Sequence, residues 1–513
     1  MNRRLLALAI VALWVVAVGW LVRREYFRPQ AELLADAALA VPPGATYYRL
    51  ELSGQQIGFA SSKVDTLPDT IRVQDQMLLR IPALGRVQRV EARTDANLTR
   101  TMRLRSFDAS LRGEDVRFGV HGEVSGDSLL SVEVASADSR QQLKVPLERP
   151  IVLPGLMPLN LTFGGDLAVG KSYSVRLFDP LQLDERDINV TVTGESTFVV
   201  PDSAAFQEDT GLWVAARWDT LHAWRIKQET AGLEVEAWID DLGQIVRATT
   251  PMGFAMERTA FEIAFENFRR REDVELAADL GSDLIRQTAI ASNVSLSQEA
   301  LAELRIRLGG VDLSGFDLSG GRQQLLGDTL VVRREVGDVL APAYRLPARD
   351  SILAEYLKPG PLVQSDDRRI EAQARQIVGR VRNPARAAEL LNQWVYDELD
   401  KRITVSVPSA VEVLASRRGD CNEHTVLYVA LARAAGIPTR TAAGLVYVDG
   451  RFFYHAWPEV YLGGWVAVDP TFGQFPADAA HLRFTIGGLA RQTELIRLIG
   501  RLTLDVVEVQ DRT

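Results

Sequence analysis

The sequence predicts an α+β chain in three parts: an N-terminal transmembrane helix, an antiparallel β-rich domain, and a C-terminal domain in which helices precede strands. Three observations predict it. Residues 5–22 form an unbroken apolar run between arginine pairs. From 47 to about 250, short alternating runs are separated by turn residues. From Ser365 the apolar period becomes helical. The expected boundaries are 1–27 for a signal anchor, 28–44 for a linker, 45–270 for the β-rich domain, 271–364 for a connecting α/β region, 365–490 for the C-terminal domain and 491–513 for an extension.

The apolar run is long enough to span a bilayer. Arg3 and Arg4 precede it, and Arg23-Arg24-Glu25-Tyr26-Phe27 follows where a cleaved leader would carry small residues, so the expectation is an uncleaved anchor. The signal-anchor pattern puts the N-terminus in the cytoplasm and the body outside, in the periplasm. After a short helix expected over 30–40, Val41-Pro42-Pro43-Gly44 breaks the chain. Strands follow, such as Tyr47-Tyr48-Arg49-Leu50-Glu51-Leu52 before Ser53-Gly54. Trp213, Trp218, Trp224 and Trp238 fit strand-face packing. Arg269-Arg270-Arg271 marks a boundary, and a helix is expected from about 279 to 291. The echo of Val311-Asp312-Leu313-Ser314-Gly315 in the next five residues is too short for a repeat fold and reads as turns.

In the C-terminal part, Ile370, Ala374, Ile377 and Val381 share one helical face. Asn383-Pro384 opens a second helix as N-cap and first residue, with Leu390, Leu391, Trp394, Val395 and Leu399 inward. A third opens at Ser409, where Ser409-Ala410-Val411-Glu412 has the spacing of a capping box.

Composition narrows the function. The 513 residues are 47% apolar and 24% charged, which suits two or three globular domains. A net charge of −9 supplies no field for a phosphate backbone, so nucleic acid is not an expected partner. Cys421 is the only cysteine, which excludes an internal disulfide and a multi-thiolate zinc site. It lies in Gly419-Asp420-Cys421-Asn422-Glu423-His424-Thr425, ahead of a helical stripe of Leu427, Ala430, Leu431 and Ala434 that ends at Gly436-Ile437-Pro438. Cys421 therefore falls in the first turn, where free N–H groups and the helix dipole favour a thiolate and could receive an oxyanion. A structural cysteine would sit on the mid-helix core face instead.

A thiol nucleophile needs a base and a group that orients the base. His455 stands in the strand-like 451–462, and Asp469 follows Gly463-Gly464 and a second strand. An ideal two-residue turn pairs His455 with Phe472 and sets Asp469 opposite Pro458. Facing His455 with Asp469 takes a three-residue shift, to be supplied by a wider loop or a bulge near Pro458. His424, three residues after Cys421, is a rival base or a structural histidine, and Glu423 caps or pairs. His121, His222 and His481 stand apart and read as structural or exposed. Trp457 and Trp465 line an acyl groove or pack under the strands, and Trp394 packs in the core.

Ser409-Ala410 through Gly419-Asp420-Cys421, then Gly436-Ile437-Pro438-Thr439-Arg440, His455-Ala456-Trp457 and Gly464-Trp465 to Asp469-Pro470-Thr471 resemble the transglutaminase-like superfamily. The resemblance covers about 365–484. It implies a papain-like α+β core with Cys421, His455 and Asp469 as its triad, acting on protein or peptide substrates through a thioester, with hydrolysis ahead of transamidation. It brings no cofactor or metal, and no acidic loop has the spacing of a calcium hand. The competing expectations are a catalytically silent peptide-binding or envelope scaffold, and an assembly factor acting through the β-rich domain.

Overall fold

The computed structural model describes residues 41–511 apart from 84–85, 114–116, 137–138, 165–166, 231–232, 251–252, 271–287, 298–299, 343, 403–406 and 408. The anchor expected at 5–22, the helix at 30–40 and most of the helix at 279–291 lie outside the described residues. The end of that last segment is a strand, not a helix: Ile290–Ala291 pairs with Phe452 and Arg451. Among the described residues no helix is long and apolar enough to cross a membrane.

The β-rich part is one antiparallel sheet of fourteen strands. Alternation builds it: in β1 (Gly44–Leu52) Tyr48, Leu50 and Leu52 are buried, and in β7 (Leu129–Ser136) Leu130, Val132 and Val134 are. The first eight strands, ending with β8 (Ser139–Pro146), form a meander outward from β1. The remaining six, β9 (Ser172–Asp179) to β14 (Phe254–Thr259), return inward, so that β14 pairs with β1. A 3-10 turn, Pro154–Leu156, and helix α1 (Met157–Gly164) link the halves and cover the apolar face. Phe178 of the edge strand β9 meets Phe107 of β5 (Leu104–Arg112) at 5.8 Å between ring centres, so the β9 edge curls over the other half of the sheet. Trp218 is 57% exposed, and the long ribbon of β10 (Asp184–Gln207) and β11 (Leu212–Thr230) leaves much of both faces open there.

The C-terminal part stacks three layers. Helices α2 (Arg368–Val378), α3 (Pro384–Glu398), α4 (Ala410–Ser416) and α5 (Cys421–Ala434) form the first. Asn383 caps α3 by accepting from the Arg386 amide, with Pro384 at its first position. The capping box expected at Ser409 does not form. Ser409 Oγ accepts instead from Gln364, and Glu412 accepts from Ser136 of the large sheet, 2.8 Å away. A tertiary partner outcompetes the local one at each end of the motif.

The second layer is a sheet ordered β15 (Ile290–Ala291), β22 (Arg451–Tyr461), β21 (Thr439–Val448), β24 (His481–Ile486), with β23 (Trp465–Ala467) paired to β22. The third is the sheet β17 (Gln323–Leu326), β18 (Thr329–Arg333), β16 (Leu301–Gly309), β25 (Thr503–Asp511). Leu304, Ile306, Leu504 and Val506 of this last sheet share a core with Leu445, Leu482 and Phe484. The segment before residue 365 and the end of the chain together form the floor under the middle sheet.

Candidate active site

Cys421 is the first residue of α5, and Asp420 is its cap. The Asp420 carboxylate takes the first-turn amides, including that of Asn422 at 2.8 Å, while Glu423 accepts from the Asp420 N–H at 2.9 Å. Glu423 is therefore a capping residue. Thr425 Oγ1 donates to the Ala456 carbonyl at 3.0 Å, which pins the start of α5 to the middle of β22. The Ala456 amide lies near enough to the Cys421 sulfur to favour its ionised form. The thiol thus lies against the residue that follows His455.

His455 Nε2 meets Asp469 Oδ2 at 2.7 Å, and both side chains are buried. The β22–β23 ladder pairs Tyr461 with Trp465 and Glu459 with Ala467, which makes a three-residue loop and a one-residue shift from the ideal turn rather than three. Continued in that register, His455 would face Thr471, so Asp469 is its diagonal neighbour on the same face. The chain also leaves the ladder after Ala467, and Asp469 closes its own bridge with Gln474. The structure brings Cys421, His455 and Asp469 to one end of α5.

Residues 371–470 match the family model of the transglutaminase-like superfamily. The chain carries a transglutaminase-like domain. It is also 30% identical to an uncharacterised protein of Haemophilus influenzae over 158 residues, 25% of this chain and 41% of that relative. The chain therefore spans less than half the length of the curated relative it matches. A candidate cysteine protease from Cytophaga hutchinsonii is similar over 44% of this chain and 86% of its own, at 17% identity and a TM-score of 0.26. A candidate protease from Parabacteroides distasonis covers 67% and 70% respectively, at 12% identity and 0.18.

Asp469, at the end of the matched stretch, has a second histidine beyond it. His481 Nε2 lies 2.9 Å from the same Oδ2, and its Nδ1 lies 2.9 Å from Asp478 Oδ1. Asp469 Oδ1 accepts from the amides of Thr471 and Phe472, so both its oxygens are occupied. Burial opposes the Asp469 charge, but His455 and His481 outweigh it and hold the carboxyl well below the usual carboxylate range. Burial likewise opposes the His481 charge, and the Asp478 and Asp469 carboxylates outweigh it, raising its pKa to about 9. His481 is thus a buried imidazolium between two carboxylates at neutral pH. The nitrogens of His455 and His481 and the Asp469 oxygen lie within 4.8 Å of one another, as metal ligands would, but both rings spend these atoms on direct bonds to the carboxylate.

The sequence set His481 aside because it stands outside the motif blocks. Its signal was spacing: Asp478 precedes it by three residues, and Ala442-Ala443-Gly444 is a run of small residues in what proved to be the strand between His455 and His481. Gly444 lies opposite His455, and with Ala442 it lets the rings of His455 and Trp457 approach His481 across β21, at 6.0 and 5.3 Å between centres.

The rival base is placed differently. His424 is fully buried, its Nδ1 lies 2.7 Å from the Asp420 carbonyl of its own helix, and burial lowers its pKa. Asp469 is joined to His455, not to His424. Trp457 is fully buried beneath the strands and lines no groove, whereas Trp465 packs edge-on against Tyr356 and Tyr461 under the Arg440 guanidinium. Trp394 is half-buried beneath Arg417. His121 and His222 sit on the large sheet, paired with Asp108 and Asp241.

The surroundings of the thiol pull against the expectation from the helix start. Burial, with the carboxylates of Asp420, Glu423 and Asp469, pushes the Cys421 thiol well up, and the Ala456 amide offsets only part of this. Such a thiol is activated by proton transfer at the moment of attack.

Proposed function

We propose that this chain is a membrane-anchored thiol enzyme that acts on amide or peptide bonds of protein or peptide substrates through a cysteinyl thioester, with hydrolysis as its main outcome. The observation that carries the reading is the junction at which the Cys421 sulfur meets the Ala456 amide beside a His455 held by Asp469. In a neutral His455 ring that donates Nε2–H to Asp469, the lone pair is on Nδ1, and this nitrogen takes the thiol proton. The sulfur then bonds to the carbonyl carbon, and the oxygen takes the displaced electron pair. Asp420 has claimed the Asn422 and Glu423 amides, so the Cys421 N–H is the first-turn donor positioned for that oxyanion.

Collapse breaks the C–N bond, and the nitrogen leaves with its electron pair and the proton from His455. Water, deprotonated by His455, attacks the thioester and restores the thiol with release of a carboxylic acid. An amine in the place of water would give transamidation with the same residues. Hydrolysis leads because transamidation further requires a groove that holds an amine and excludes water. Residues 5–22 supply the anchor and set the body in the periplasm.

Full-length protein in detergent, offered glutamine-containing peptides with and without a primary amine, tests the reading. Chain cleavage or ammonia release is expected, with amine incorporation as the lesser product and Cys421→Ala as the inactive control. If wild type and Cys421→Ala give identical product traces, the thiol-enzyme reading fails and the peptide-binding alternative takes its place.

A further inference from the structure

The large sheet encloses a cavity of about 330 Å³, far in sequence from the thiol. Its volume falls at the lower end of small-ligand pockets, roughly 300–1,000 Å³. One wall is β2 (Gln55–Thr66), β3 (Thr70–Ala83) and β4 (Arg86–Thr99), and the lid is the Pro154–Leu156 turn with the start of α1. The walls are mostly apolar, with Val73, Met77, Leu156, Leu159 and Met256 among them.

Asp75 breaks this pattern. Residues of β3 alternate, and Ile71, Val73, Asp75 and Met77 share its covered face, so a carboxyl occupies a position where the period calls for a hydrophobe. The lid passes close over it: a Cβ on Gly155 would stand 2.4 Å from Asp75 Oδ2, so a larger residue there would push the carboxylate aside. Ser62 hydrogen-bonds the carboxyl, and burial raises its pKa to about 6, which leaves it mostly ionised at neutral pH. Among the described residues the cavity lining includes a second acid, Asp179, and no lysine, arginine or histidine. A half-buried carboxylate facing apolar walls with no cation in the lining is costly, and a bound cation would reduce that cost.

We propose that this cavity is a binding site for an apolar molecule bearing a protonated amine, with the hydrocarbon between sheet and lid and the ammonium at Asp75. The acid and the absence of lining cations select against fatty carboxylates and phosphates. Binding is independent of Cys421.

Isothermal titration of the full-length protein at pH 7.5 with octylammonium, octanol and octanoate, each below its micelle concentration, tests this. The expected result is one saturable site for octylammonium, with octanoate at least tenfold weaker. Asp75→Asn should weaken octylammonium at least tenfold and abolish the discrimination, and Ala92→Phe, at a half-buried position in the lining, should fill the space and abolish binding. Octanoate binding as tightly as octylammonium to the wild-type protein overturns the proposal without recourse to any variant. So does octylammonium binding that both substitutions leave unchanged.

Discussion

At the scale of single residues, the site depends on one carboxylate serving two rings. Asp469→Asn leaves one oxygen for four donors, the rings of His455 and His481 and the amides of Thr471 and Phe472, and an amide cannot satisfy all of them. Activity should fall by roughly 10²–10⁴-fold, the range that positioned general acid–base catalysis supplies. His481→Gln should cost less in activity but change the response to pH. The folded pKa of His481 lies above the ordinary histidine value of about 6.5, so its stabilisation is complete below that pH and disappears as pH rises through about 9. Thermal melts of the wild type should therefore fall across that window, and those of His481→Gln should not. For Cys421 the raised thiol predicts slow iodoacetamide labelling at pH 7 that climbs with pH beyond the ordinary thiol range. The nucleophile and its base were legible because each stands in a local motif, whereas His481 depends on strand order: β24 lies next to β21 and β21 next to β22, and no local pattern encodes that adjacency.

Elements carry the next level of constraint. Gly444 sits where the β21–β24 register shifts, and a Cβ there would stand 1.9 Å from the Leu482 carbonyl oxygen. Gly444→Ala should cost about 1–3 kcal/mol or more in denaturant unfolding, as overpacking does. It should also lower activity beyond what unfolding explains, because β24 carries His481. Helix starts were read well where the chemistry is local: Asn383 caps α3, and a first-turn Cys421 follows from the stripe behind it. At α4 the start at Ser409 was also read correctly, but its capping box was not, because Gln364 and Ser136 take the two side chains. The hairpin was misjudged for the same reason. Loop length and the exit after Ala467 are set by the bridge to Gln474, which the alternation of the strands does not reveal.

On the scale of the whole molecule, the catalytic sheet is held by segments remote in sequence. Gln323 exchanges two hydrogen bonds with the Arg483 backbone at 2.7 and 3.0 Å, and the buried Arg483 side chain pairs with Glu459 at 2.9 Å. The large sheet touches the same domain through Ser136 and Glu412, and α4 runs from that contact toward the Cys421 helix. Ser136→Ala should destabilise by about 0.5–1.5 kcal/mol, the net worth of one hydrogen bond to a half-buried carboxylate. Deleting residues 503–511 should cost more, since Leu504 and Val506 leave the core, roughly 3 kcal/mol or above by area; circular dichroism melts would register both. The β-rich domain was legible as a class from its alternation, while its closure of β14 onto β1 was not, because the pairing spans the whole domain.

The position of β25 also bears on biosynthesis. A ribosome makes it after every other described strand, and until it emerges the floor beneath His481 and Leu482 lacks an edge. A nascent chain that already displays Cys421 therefore still lacks one wall of the core on which the His481 strand rests.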